Sequence, residues 1–105
     1  MDYFVQCGTT AIPNRNLPAL ADSLRGELQH TGYVREPTVV SNLLTRRLTL
    51  TARIEAGTPQ TAITVAETAL LTHLRGHGSE FGLVGIQHAD ATPADHRRQQ
   101  HSAAA

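Results

Sequence analysis

The sequence predicts an α+β fold in which a four-stranded antiparallel sheet carries two helices on one face, and three observations lead there. From Arg46 to Ala56 apolar and polar residues alternate strictly, RRLTLTARIEA, and after a Gly-Thr-Pro break the segment TPQTAITVAETALLTHLR follows a helical spacing. A change of period from two to about 3.6 marks a strand followed by a helix. A second strand-and-helix pair lies upstream, from Asp2 to Gln29, and a further apolar stretch follows Gly78. A chain of 105 residues has room for one such domain. Residues 1–89 are expected to form it, and residues 90–105, polar or alanine without periodicity, to form a flexible tail.

The first strand is expected from about Asp2 to Gly8, with Tyr3, Val5 and Cys7 on one face and Phe4 and Gln6 on the other. The linker GTTAIPNRN is dense in turn formers and ends in Asn16, a good N-cap, with Pro18 in the first helical turn. Leu20, Ala21, Leu24 and Leu28 then recur at three- and four-residue steps and make a narrow apolar stripe, and Gly32 is a natural stop. The second strand falls within Tyr33 to Ser41, and Pro37 in its middle demotes it to a sheet edge. The third strand, Arg46 to Ala56, points Leu48, Leu50, Ala52 and Ile54 inward and Arg47, Thr49, Thr51, Arg53 and Glu55 outward. Thr58 caps the second helix, Pro59 takes its first position, and Gly76 ends it. A last strand is expected from Phe81 to about His88.

The resulting order, strand, helix, strand, strand, helix, strand, resembles the ferredoxin-like βαββαβ superfold. That resemblance implies central first and third strands, an edge position for the second, both helices on one sheet face, and an opposite face left open to solvent or a partner. It implies no activity, because unrelated functions share the fold.

Composition removes several function classes. The nine acidic and nine basic residues balance, which gives no reason to expect nucleic acid or an anionic membrane as partner. Every basic residue is Arg, so Schiff-base chemistry on Lys is excluded. The single Cys7 cannot supply the thiolates of an iron-sulfur cluster or a copper carrier, and no cofactor is expected. The inward parity of Cys7 also argues against a nucleophile. MDYFVQCGTT lacks the pattern of a signal peptide, and no apolar run approaches the ~18 residues of a membrane span, so a cytoplasmic location is expected.

The remaining candidates lie in three places. The outward row Phe4, Gln6, Arg47, Thr49, Thr51, Arg53, Leu83 and Gln87 forms the open face, and it is expected to meet a second copy of the chain or another protein. RNA-binding relatives of the fold stack bases on aromatics of the central strands, and only Phe4 is offered here. The loop residues Thr9, Thr10, Arg15 and Asn16, beside a helix start, are a candidate anion or effector site. Regulatory domains of the ACT type are similar in strand order and use this loop for effectors. His88, with Arg47 and Arg53, is the candidate machinery if the chain resembles the dimeric α+β barrel enzymes, monooxygenases, cyclases and isomerases, that act on small organic substrates. His73 and His77 are four apart, but Gly76 between them is expected to end the helix and keep them from a shared face, so no metal is expected. The segment from Arg46 to Arg75 is also similar to ribbon-helix-helix DNA binders, but a strand-like FGLVGI stands where that family needs its second helix.

Overall fold

The computed structural model describes residues 1–12 and 16–94. The elements follow in the order β1 (Asp2–Thr9), α1 (Leu17–Gln29), β2 (Arg35–Asn42), β3 (Arg47–Glu55), α2 (Pro59–Arg75), a short 3-10 turn (Ser79–Phe81) and β4 (Ile86–Pro93). The strands form one antiparallel sheet in the order β2-β3-β1-β4, the ferredoxin-like arrangement.

Both helices start where local chemistry dictates. Asn16 Oδ1 accepts a hydrogen bond from Ala19 N at 3.3 Å, and Thr58 Oγ1 accepts one from Thr61 N at 3.1 Å. Each cap satisfies one of the amides that a helix start leaves without a partner. The inward residues of β1 and β3 meet in register, Tyr3 opposite Ile54, Val5 opposite Ala52 and Cys7 opposite Leu50, and all are buried. α1 packs over β2 and α2 over β1, β3 and β4, so one apolar core lies between the helices and a single sheet face.

The β2–β3 hairpin is closed by Asn42, whose Oδ1 accepts from Leu44 N at 3.0 Å and Thr45 N at 3.1 Å, a side-chain mimic of a backbone turn. β2 is an edge strand, as Pro37 requires. Its pairing slips between Arg35 and Thr38, where Glu36 takes a left-handed φ of 52° and Pro37 is buried. This bulge lets a residue that cannot donate to the ladder sit in a strand.

The last strand differs from the expectation. Phe81 is not in it: Phe81 lies in the 3-10 turn and is fully buried, while Leu83 is fully exposed in the turn that follows. β4 begins at Ile86 and continues through Asp90–Pro93, residues expected in the tail, and Ala94 is buried as well. The inward positions of β4 are Ala89, Ala91 and Pro93, opposite Cys7, Val5 and Tyr3. Alanines bury so little surface that their alternation is nearly silent in a hydrophobic pattern. The rest of the expected tail, 95–105, lies outside the described residues. None of the helices among the described residues is long and apolar enough to cross a membrane.

Candidate functional site

Strand register turns the open face into cross-sheet rows. One row runs Thr38, Thr51, Gln6, Asp90; the next runs Val40, Thr49, Gly8, His88; a third places Arg53 opposite Phe4 and Phe4 opposite Thr92. The sequence-derived residues Phe4, Gln6, Thr49, Thr51 and Arg53 are thus brought together. Arg47 lies on the same side of β3 at its start, opposite Asn42. Leu83 does not reach the sheet, because β4 starts three residues later than it does. Gln87 falls where the pairing shifts from Gly8–His88 to Thr9–Ile86 and has no cross-strand partner. Asp90, Thr92, Thr38 and Val40 belong to the face and escaped sequence reasoning, the first two because β4 was misplaced, the last two because the bulge at Glu36 resets the parity of β2.

The face has two unlike ends. At one, Arg53 reaches Asp2 at 2.8 Å and Glu36 at 3.5 Å and stands over the Phe4 ring, 5.7 Å from its centroid. Arg35 lies 3.8 Å from Asp2 and 3.6 Å from Glu55. These charges pair with one another, and the carboxylates and the ring hold Arg53 in place. A depression of about 380 Å³ lined by Phe4, Glu36, Thr38, Thr51, Ala52 and Arg53 opens to solvent here, and it includes neither His88 nor Arg47. Toward the other end Val40 is 58% exposed, with Arg47 on the same side at the start of β3, and the adjoining hairpin carries Leu43 and Leu44, 61% and 97% exposed.

His88 lies across Gly8. A Cβ at Gly8 would fall 2.9 Å from His88 Nδ1 and nearer still to its Cε1, so the missing side chain is what lets the ring lie over the sheet. The three residues nominated for catalysis therefore have different fates: Arg53 is engaged in ion pairs, while His88 lies on β4 and Arg47 at the start of β3, on strands separated by β1.

The candidate effector loop uses its hydroxyls internally. Thr9 is fully buried and its Oγ1 accepts from Leu48 N at 3.1 Å. Thr10 Oγ1 accepts from Gly85 N at 3.1 Å while Thr10 N donates to Gly85 O at 2.9 Å, and Asn16 is occupied as the cap of α1. Ile12 N donates to Arg46 O at 2.7 Å. The loop is thereby fastened to the hairpin and to the segment before β4. Arg15 lies outside the described residues.

His73 and His77 correct an expectation. Gly76 does end α2, but in right-handed helical conformation, φ −66° and ψ −17°, so the chain makes another helix-like step and His77 remains on the side of His73. Both meet Glu27 of α1, His73 Nδ1 at 3.2 Å from Oε1 and His77 Nε2 at 2.6 Å from Oε2, and Thr31 Oγ1 lies 3.3 Å from His73 Nε2. The cluster ties the two helices together. Among the described residues no group of three His, Cys, Asp or Glu side chains is arranged to hold a metal ion.

Cys7 is fully buried, as its parity requires, and burial, aided by the negative charge of Glu67, pushes its thiol from 9.0 up to about 12. The unfolded thiol ionises near 9.0 while the folded one keeps its proton up to about 12, so this contribution to stability is complete below pH 9.0 and is lost as the pH rises through about 12. Iodoacetamide at pH 8 is expected to label Cys7 at least about a hundredfold more slowly in the native protein than in denaturant. Equal rates would show an accessible thiol.

Comparison of the sequence with known protein families and with curated proteins finds no match to either.

Proposed function

We propose that the chain is a non-enzymatic protein-interaction module that works through the open face of its sheet, as a homodimer or as the small subunit of a complex. One observation carries this reading: Thr38, Val40, Thr49, Thr51 and Gln6 bring uncharged side chains together on that face, and Arg35 and Arg53 at one end of it are paired with Asp2, Glu36 and Glu55. Such a surface loses little solvation when covered and gains roughly 25 cal/mol per Å² of apolar area removed from water. The single reduced, buried Cys7 agrees with work in a reducing compartment such as the cytoplasm.

Light scattering after size exclusion tests the reading. Twice the 11.3 kDa chain mass is expected at hundreds of micromolar, or a co-purifying partner from the native host. Thr51→Arg, exposed and in the centre of the face, is expected to abolish contacts made there. A chain that stays monomeric and partnerless with its face intact would sink the proposal.

A second reading, the dimeric α+β barrel enzyme, is favoured by His88 alone, whose ring lies in the middle of the face where a partner sheet would close a cavity over it. A His88→Ala variant that retains every ligand and partner of the parent counts against it.

A further inference from the structure

The open face is not the only uncovered surface, because the outer edge of β2 has no backbone partner among the described residues. From Thr38 to Asn42 this edge reads TVVSN: continuous in register with β3, without Pro, without charge and rich in β-branched residues. Natural edges are blunted by charge, Pro or a bulge, and an edge lacking these is a template for another strand. β4, the opposite edge, carries such protection in Asp90 and Pro93. On β2 the bulge and Pro37 protect only the stretch before Thr38.

We propose that the edges of β2 from two copies of this chain pair antiparallel about Val40, joining their sheets side by side and leaving both open faces free. This contact goes beyond the open-face reading and leaves that face to another protein. The occupant is a second copy because the segment is complementary to itself. Val40 is the middle of the regular stretch, so a two-fold axis there sets Thr38 opposite Asn42 and Val39 opposite Ser41, with no like charges facing. Any other centre would run the pairing into the bulge or the turn. The same axis carries Leu43 and Leu44, exposed just past Asn42, beyond the partner's Thr38, where the bulge begins. A contact of five residues a side is small, so association should be weak and concentration-dependent rather than a permanent dimer.

The experiment combines hydrogen exchange and light scattering on the full chain across tens to hundreds of micromolar. The amides between Thr38 and Asn42 that point away from β3 are expected to exchange at least about tenfold more slowly at the high concentration, while those bonded to β3 change little. Val40→Glu and Val40→Lys should each be monomeric, since the axis brings like charges together, and their mixture should dimerise. Thr51→Arg should leave this dimer intact. Val40 is solvent-exposed, so both variants should keep the parent circular dichroism, and exchange on the unaltered protein stands even if one misfolds. A dimer that Thr51→Arg breaks while the edge amides exchange unchanged would overturn the edge contact and leave the face reading standing. A monomer at every concentration would overturn the edge contact as well.

Discussion

Phe81→Ala is expected to destabilise the protein by about 3–5 kcal/mol, whereas Leu83→Ala, two residues on, should change stability by less than about 0.5 kcal/mol. Phe81 is the largest of the fully buried side chains and Leu83 is fully exposed. The 3-10 turn from Ser79 to Phe81 drives the ring into the core beside α2, and truncation removes both its transfer free energy and the packing around the space it leaves. A domain of this size has a total stability of about 5–15 kcal/mol, so the loss is a large share of it. A thermal midpoint lowered by roughly 10–20 °C for Phe81→Ala and unmoved for Leu83→Ala is the outcome to look for. Comparable effects at both positions would mean that residues 81–86 are a strand after all, with a different face inward.

Thr9→Val carries the next largest expected effect, a loss of about 1–3 kcal/mol in urea unfolding. The swap nearly preserves shape, so packing is not what changes. The buried amide of Leu48 donates to the Thr9 hydroxyl and would be left without an acceptor. A side chain is needed there because pairing of β1 with β3 runs only to Gly8–Thr49, and the hydroxyl supplies an acceptor where that ladder ends. Thr9→Ser retains that oxygen and should recover most of the loss. A Val variant as stable as the parent would show that Leu48 N finds another partner.

Much of the architecture was legible because its signals are local. Asn16 and Thr58 announce helix starts through their own hydrogen bonds, and the Leu48, Leu50, Ala52, Ile54 row announces a strand through parity alone. Pro37 announces an edge because it lacks an amide proton. β4 was misread because its inward residues are alanines and a proline, while the apolar FGLV before it looked like the better strand. The candidate face inherited that error: Leu83 was placed on it and Asp90 and Thr92 were missed.

Other losses were of a different kind. Glu27 stands 46 residues from His73 and 50 from His77, so nothing in the spacing of either helix could show that one carboxylate meets both rings. The hydroxyls of Thr9 and Thr10 looked available for an anion because a sequence does not reveal what a loop packs against. Alternation placed Arg53 on an open face, and only the convergence of Asp2 and Glu36 from neighbouring strands shows which carboxylates engage it.

By itself the sequence determined the element types, their order, the inward rows of β1 and β3 and the edge position of β2, since these depend on interactions within a few residues along the chain. Tertiary structure alone decided where β4 begins, which face residues share a row, and which polar groups are already taken. Those outcomes follow from register and from contacts between distant segments, where a shift of one residue moves every side chain of a strand to the other face.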